Sequence, residues 1–302
     1  MFAEIILGIL MTVVTISLGI VIEAAFRRTG QVARTVAFNT MCAVLLGIWA
    51  RVLQPFAATE GAFLQHHLGI TPIPLPEHGW LVLFSATVVM LAEDLIFYWV
   101  HRAQHQYECL WAMHSFHHSD DDLNVTSSSR HYWIEKPFWM FVFYVPLGLV
   151  FRISPDVATV YGFMFMFFAM FPHMNIRLEL GPFTRIILGP QLHRIHHSVY
   201  REHFNTNFAG AFPVWDLVFS TYRAPGRGEF PPTGVPEMVS RPSPLHALLW
   251  PMYRSVGQSG GCVRSAAIAS PDDRNRQVCH PYRRSTDGTQ DAARPCQSTP
   301  PK

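Results

Sequence analysis

The chain has 302 residues, of which 49% are hydrophobic and only 15% are charged. This composition is too apolar for an ordinary soluble domain and indicates a membrane protein. The formal net charge of +2, without long runs of like charge, excludes a nucleic-acid-binding surface, so we expect no nucleic acid partner. Histidine stands out, because most of its 16 residues occur in groups.

Three long apolar segments in the first third of the chain predict helices that cross a membrane. Residues 2–26, about 35–58 and 79–100 each contain enough apolar residues to span the hydrocarbon core of a bilayer. The third segment carries Glu93 and Asp94 in its interior. Acidic groups at that depth usually have a functional partner, so this segment is the first place to look for a site.

Two further apolar stretches, 137–151 and 157–172, predict a helical hairpin whose first arm is short for a complete crossing. With the first three segments, they predict an all-α, integral-membrane helical bundle with four to five membrane helices. The following segment, 174–223, is amphipathic, which indicates a partly helical cap outside the membrane. The polar, aperiodic sequence from about 255 onward is typical of disorder.

The distribution of basic residues predicts how the bundle is oriented. The loop after the first apolar segment contains Arg27, Arg28 and Arg34, whereas residues 59–78 contain no Lys or Arg. By the positive-inside rule, the first loop is cytoplasmic. Following the chain from there places every histidine group described below on the cytoplasmic face.

The third apolar segment continues into a stripe of polar side chains. In AEDLIFYWVHRAQH, Asp94, Tyr98, His101 and His105 lie at i, i+4, i+7 and i+11, so they share one face of a helix. We take Asp94 and Tyr98 as candidate catalytic residues, with Asp94 orienting an imidazole through its second ring nitrogen. The alternative for Asp94 is an ion pair with an arginine such as Arg51.

An HxxHH motif occurs twice after this segment. Three ring nitrogens at i, i+3 and i+4 converge on a small volume when the motif is helical. Two copies of this motif are not expected by chance in a chain of this length. The residues are His114, His117 and His118 in WAMHSFHHS, and His193, His196 and His197 in QLHRIHHS.

These clusters predict a site for two metal ions. Imidazole suits iron, zinc, copper and nickel, and one such ion takes about four to six donors, so eight clustered histidines are too many for one ion. His131 and His173 lie at the same predicted membrane face, and we add them as candidate ligands. Their alternative is an orienting or structural role. An isolated histidine such as His203 is instead read as a hydrogen-bonded or solvated side chain.

The motifs HRAQH, HSFHHS and HRIHHS, with the flanking stretches LNVTSSSRHYWIE and HFNTNFAGAFPVWDLVFSTY, resemble the sterol desaturase / fatty acid hydroxylase superfamily over roughly 90–222. The resemblance implies a cytosol-facing di-iron centre in a membrane-embedded fold. His173 lies where many members supply a further ligand. The ligands that it implies otherwise are His101, His105, His114, His117, His118, His193, His196 and His197.

The resemblance also implies a function and a domain division. The expected reaction is O2-dependent hydroxylation or desaturation of a C–H bond in a sterol or fatty-acyl lipid. Two iron ions serve as cofactor, and an external electron donor of the cytochrome b5 or ferredoxin type supplies electrons. We divide the chain into N-terminal membrane helices (1–89), a hydroxylase-like catalytic domain (90–223) and a Pro/Gly-rich, disordered tail (224–302).

Other metal proteins remain open on the residues alone. Zinc in place of iron would give a membrane zinc-dependent hydrolase, or a metal-binding protein without oxidase activity, since imidazole suits both metals. A b-type haem carrier is a weaker alternative, because haem needs axial ligands rather than clusters of three histidines.

Overall fold

Helices make up nearly all of the regular structure. The structure is a computed structural model, and it describes residues 2–26, 33–235 and 249. Two short strands, β1 (Ile73–Pro74) and β2 (Phe151–Arg152), pair in parallel. The helices are α1 (Phe2–Phe26), α2 (Ala33–Leu68), α3 (Leu81–Gln106), α4 (Glu108–His118), α5 (Glu135–Trp139), α6 (Val145–Val150), α7 (Pro155–Met170), α8 (Pro190–His196) and α9 (Val214–Val218).

Several helices have the length and apolar composition that a membrane requires. Within the described residues, three segments suffice for a crossing: Ala33–Leu53, Leu81–Gln106 and Pro155–His173. Shorter apolar segments cover Thr12–Phe26 and Pro137–Val150. The expected all-α membrane fold is therefore confirmed, whereas the number of four to five membrane helices stays a prediction.

The ends of these helices meet at the histidine clusters. α3 and α7 pack along one another through an apolar core that includes Val89 and Phe168. Both finish at the same end of the bundle, and α2 starts there, where Asn39 donates to Asp120 (3.0 Å). The far end of α2 packs instead against α6, with Gln65 donating to a backbone carbonyl there (2.8 Å). The clustered histidines thus lie at one end of the bundle; that this end is cytoplasmic stays a prediction.

Local signals set where the site helices begin and end. Ser154 caps α7 by accepting from the Val157 amide, and Pro155 occupies the first helical position, where its missing N–H costs nothing. α3 ends at Tyr107, whose extended backbone (φ −107°, ψ 125°) lets α4 start at once in a new direction. α3 and α4 therefore form a corner, which brings their histidines together.

A buried polar network ties the second histidine motif to the N-terminal helices. Asp120 accepts hydrogen bonds from Asn39 (3.0 Å) and from the Ser127 hydroxyl (2.7 Å). Arg130, fully buried, donates from Nε to the carbonyl of Phe116 in the last turn of α4 (3.1 Å). Buried polar groups need such partners, so the network fixes the end of α4 that carries the motif.

The stretch 224–235, which the sequence assigned to a disordered tail, packs against the third histidine motif. Arg194 of α8 donates from Nε to the carbonyl of Pro231 (2.8 Å). Carbonyls of this Pro-rich stretch accept from side chains of α8, so order here comes from long-range contacts that periodicity does not reveal. The expected disorder is therefore wrong for 224–235, and the rest of that prediction lies outside the described residues. The domain division stays a prediction.

Candidate metal centre

Within the described residues, nine histidines form two groups in which the ligand nitrogens lie within 4.8 Å of one another. They lie where α3, α4, the end of α7 and α8 meet. The five-His group consists of His101, His105, His114, His118 and His196. The four-His group consists of His117, His173, His193 and His197.

Each of the two HxxHH motifs supplies ligands to both groups, in opposite proportions. In α4, the first and last histidines (i and i+4) join the five-His group, and the middle one (i+3) joins the four-His group. In the α8 motif, the first and last join the four-His group, and the middle one joins the five-His group. Positions i and i+4 are about 40° apart around a helix, whereas i+3 and i+4 are about 100° apart. Each motif therefore bridges the two groups.

In the five-His group, the Nε2 atoms of the rings are available to bind a metal. The Nε2 atoms of all five members are buried and, within the described residues, have no hydrogen-bond partner. On the other side of the ring, Nδ1 of His101 lies 2.7 Å from the Phe208 carbonyl, and Nδ1 of His196 lies 2.8 Å from the Thr206 carbonyl. A carbonyl only accepts, so Nδ1 carries the proton and Nε2 presents a lone pair.

In the four-His group, the Nε2 atoms crowd together. His173 lies 3.3 Å from His117 and 3.0 Å from His193, and His193 lies 3.1 Å from His197. Nitrogens bound at about 2.1 Å to one ion are separated by about 3.0–3.4 Å in octahedral or tetrahedral geometry. The spacing in this group therefore fits a shared metal ion.

Burial keeps these imidazoles in the form that binds a metal. Desolvation lowers the pKa of His196 to about 3 and lowers the pKa of His114. Neutral imidazole is the ligand, so protons compete weakly for the site near neutral pH. The pKa is also lowered well below its usual value by burial for His117, His118, His193 and His197.

The structure places His131 outside both groups. Its ring stacks on His117, with centroids 4.4 Å apart and planes 8° from parallel. Its Nδ1 lies 3.5 Å from Glu135, whose same oxygen lies 3.8 Å from Nδ1 of His114. These three residues form a third cluster of ligand type. A ligand role for His131 in either main group stays a prediction that this position does not favour.

Glu135 is a site residue that the sequence did not single out. It is fully buried and lies at the first position of α5. Burial alone would raise the pKa of its carboxyl, but the neighbouring imidazoles of His114 and His131 hold it at about 2. Its position four residues after His131 in RHYWIE was the available signal.

Asp94 and Tyr98 lie beside the centre rather than in it. The Asp94 carboxylate accepts three backbone N–H groups, from Gly210 (2.6 Å), Ala211 (3.1 Å) and Phe212 (2.8 Å). The expected direct contact between Asp94 and an imidazole is therefore wrong, because backbone amides use both of its oxygens, and Arg51 is not its partner either. The Tyr98 hydroxyl lies 3.0 Å from the hydroxyl of Thr221 and accepts a hydrogen bond from Arg102, one turn later in α3. A catalytic role for Asp94 and Tyr98 stays a prediction.

The isolated His203 behaves as the sequence indicated. It is buried, and its Nε2 lies 3.1 Å from Glu229, which also binds Arg223. It belongs to neither group of ligands.

Residues 86–221 match the fatty acid hydroxylase family. An alkylglycerol monooxygenase of Xenopus tropicalis is 35% identical over 178 residues, which are 58% of this chain and 39% of that protein. The ornithine lipid hydroxylase OlsE of Rhizobium tropici is 28% identical over 162 residues, 54% of this chain and 49% of that protein. A very-long-chain aldehyde decarbonylase of Oryza sativa subsp. indica is 25% identical over 138 residues, 42% and 21% respectively.

The chain thus covers about a fifth to a half of the length of these relatives. No solved structure matches it. The matched region contains all nine histidines of the two groups.

Proposed function

We propose that this chain, which belongs to the sterol desaturase / fatty acid hydroxylase superfamily through residues 86–221, uses O2 to oxidise a C–H bond of a lipid. The observation that carries the proposal is the pair of histidine groups, each complete enough for one ion and joined by two reciprocal HxxHH motifs. One ion would need only one such group. The arrangement therefore supports a centre of two metal ions.

Iron is the metal that we propose for both groups. The unpartnered Nε2 atoms of the five-His group and the nitrogen spacing of the four-His group fit a first-row ion with imidazole ligands. Two ferrous ions would supply the electrons and the coordination sites needed to convert O2 into an oxidant of C–H bonds. The chain itself supplies neutral imidazoles, fixed ring orientations and a buried, water-poor setting.

The position of the groups suits a lipid substrate. They lie at the ends of helices that are long and apolar enough to cross a membrane, so an alkyl chain could reach them without leaving the hydrocarbon phase. Relatives named for alkylglycerol and for ornithine lipid favour a lipid with a polar head and long alkyl chains, and favour hydroxylation over desaturation.

We further propose a multi-pass membrane protein with its active site on the cytoplasmic side. Arg34 lies in the first turn of α2, which starts at the end of the bundle that holds the clustered histidines, and Arg27 and Arg28 precede it in the sequence. Electrons would come from an external carrier of the cytochrome b5 or ferredoxin type. A zinc-dependent hydrolase built on the same ligands is the second candidate, and the relatives' names do not favour it.

The test uses the full chain purified in detergent and loaded anaerobically with ferrous iron. It is mixed with a reduced ferredoxin, ¹⁸O2 and either an alkylglycerol or an ornithine lipid, and the products are followed by mass spectrometry. Hydroxylation is expected to place one ¹⁸O atom in the lipid, whereas desaturation would remove two hydrogens without label.

Matched variants make this experiment specific to the centre. His117→Ala removes a ligand from the four-His group and His196→Ala removes one from the five-His group, and both are expected to abolish the product. His203→Ala, a buried histidine outside both groups, is expected to retain it. Full activity of either ligand variant, or a zinc-only protein that consumes no O2, would overturn the proposal.

A further inference from the structure

One backbone segment, residues 206–212, connects two buried carboxylates to two metal-site histidines, and we call it the carbonyl strap. Five consecutive amides of this strap donate to carboxylates. Asp216 accepts from Phe208 (2.7 Å) and Ala209 (3.0 Å). Asp94 accepts from the next three, Gly210, Ala211 and Phe212, at 2.6–3.1 Å. Both aspartates are at most 3% exposed, so solvent does not compete for these bonds.

The carbonyls of the strap face the metal centre. The Thr206 carbonyl accepts from Nδ1 of His196, and the Phe208 carbonyl accepts from Nδ1 of His101 (2.8 and 2.7 Å). Both histidines belong to the five-His group, although one comes from α8 and the other from α3. The strap therefore sets the ring orientation and the tautomer of two ligands from different motifs.

The sequence of the strap region is suited to this shape. Asn205 and Asn207 adopt the left-handed conformation (φ 60° and 58°), which asparagine tolerates better than most residues. Asn207 also exchanges two hydrogen bonds with the backbone of Arg223 (3.1 and 2.9 Å). At Gly210, a Cβ atom would lie 3.0 Å from the Phe97 ring and 3.2 Å from the Asp94 carboxylate. A side chain at this position would therefore press against α3 and require a small shift of the strap.

We propose that Asp94 and Asp216 are positioning residues that act through the carbonyl strap to hold His101 and His196 for the ion of the five-His group. A carboxylate offers lone pairs to several N–H donors at once, which an amide side chain of the same shape does not. Replacing either carboxylate by an amide turns an NH2 group toward backbone N–H groups, so the strap shifts and its carbonyls move away from the imidazoles.

The effect should be confined to one ion. The strap carbonyls serve two members of the five-His group, whereas Nδ1 of His173 in the four-His group donates to the Ala169 carbonyl in the last turn of α7 (2.9 Å). The inference rests on the two-ion centre of the proposed function, but it does not depend on the reaction or on the substrate.

The experiment loads the full-length chain anaerobically with ⁵⁷Fe(II), then measures iron per chain and Mössbauer spectra during challenge with a chelator. Asp94→Asn and Asp216→Asn are expected to release one of the two ions about 10-fold faster than wild type, the scale seen when partners of ligating histidines are removed. One iron signal should be lost while the other keeps its wild-type parameters.

Glu93→Gln is the matched control. It removes the charge of a neighbouring buried carboxylate of α3, which accepts from the Tyr161 hydroxyl (2.5 Å) on α7, whereas the five strap amides donate to Asp94 and Asp216. It should retain both ions.

Gly210→Ala is a second variant of the strap, which keeps both aspartates but presses on the backbone. It tests the role of the strap even if the Asn variants fail to fold. It should show the same selective release, to a smaller extent.

Two outcomes would overturn the inference. In the first, Asp94→Asn and Asp216→Asn release both ions at the wild-type rate. In the second, these variants and Gly210→Ala lose both ions equally.

The lipid assay separates this inference from the proposed function. A wild-type chain that holds two ions without oxidising lipid would refute the function alone. An active wild-type enzyme whose Asp94→Asn variant holds both ions normally would refute the inference alone.

Discussion

The five-His group and the four-His group differ in the hydrogen-bond partners of their Nδ1 atoms. In the five-His group, His101 and His196 donate to carbonyls of the strap, while Nδ1 of His114 lies 3.8 Å from Glu135 and has no hydrogen-bond partner within the described residues. In the four-His group, His173 donates to a helix carbonyl. The other three members have buried Nδ1 atoms without a hydrogen-bond partner in the part of the chain that the structure describes: His117, His193 and His197.

This difference indicates two unequal ions. Hydrogen bonds of His101 and His196 to the strap preorganise the five-His group, whereas three of the four members of the four-His group have no partner at Nδ1 within the described residues. The number of ligands differs as well. With about six positions around each ion, four histidines leave more positions for O2 or water than five do. We therefore expect the four-His ion to be the more exchangeable one.

The largest expected effect comes from removing one ligand from each group. His193→Ala leaves three imidazoles in the four-His group, and we expect its ion to be lost on dialysis. His105→Ala leaves four imidazoles in the five-His group, and we expect its ion to stay with a lower affinity. Iron per chain, measured against increasing chelator, tests this contrast. Equal losses in the two variants would remove the distinction between the groups.

Acid should destabilise the metal-free chain through both groups. Unfolded histidine has a pKa of about 6.5, whereas burial lowers the pKa of folded His196 to about 3 and also lowers that of His114 and His118. Below about pH 6.5, the unfolded state binds more protons, so the free energy of unfolding falls as pH falls. Each such histidine contributes about 1.4 kcal/mol per pH unit.

The measurement is the melting temperature of the chelator-treated chain in detergent at pH 7.5 and pH 5.5. We expect a lower value at pH 5.5, with a smaller difference in the iron-loaded chain, because bound metal competes with protons. A metal-free chain that is equally stable or more stable at pH 5.5 would contradict buried, neutral histidines.

A smaller effect is expected at Glu135. Glu135→Gln removes the charge beside His114 and His131 while keeping the shape of the side chain. We expect about 10-fold weaker iron binding in the five-His group, since partners of ligating histidines typically have that effect. The iron of the four-His group should change less. A chelator titration with Mössbauer readout separates the two ions, and a larger effect on the four-His group would reverse the assignment.

The smallest effect is expected far from both groups. Ser154→Ala removes the cap at the start of α7 and should lower the free energy of unfolding by about 1 kcal/mol. Both ions should remain, since the cap lies at the end of α7 away from His173. Thermal unfolding and iron analysis of the same sample test this, and a loss of iron would show that the groups depend on the whole length of α7.

The histidine motifs and apolar segments could be read from the sequence because helical spacing makes them local patterns. HxxHH predicted convergence, yet it did not predict that each motif divides its ligands between two groups. That division depends on how α4 and α8 cross. Nδ1 of His101 and of His196 donates to backbone carbonyls in the strap. Every residue has a backbone carbonyl, so the amino-acid types do not predict these partners. The sequence identified Asp94 as a functional candidate. Its contact with the site is indirect, because it binds backbone amides of a loop more than a hundred residues later in the chain.

Neither the position of His131 nor the order in 224–235 could be read from local sequence patterns. His131 follows an Arg in a histidine-rich region, and only the geometry shows that it stacks on His117 instead of converging with it. The stretch 224–235 has the composition of a linker, but its carbonyls accept hydrogen bonds from Arg194 and other groups of the third motif. Long-range contacts of this kind leave no periodic signal.

The central claim is a centre of two metal ions, and the metal content of the purified full chain tests it most directly. After anaerobic loading with ⁵⁷Fe(II) and removal of loosely bound iron, we expect two ions per chain and two distinct Mössbauer signals of equal area. Wild-type protein that retains a single ion, or two ions of which His193→Ala and His105→Ala weaken the binding of the same one, would contradict it.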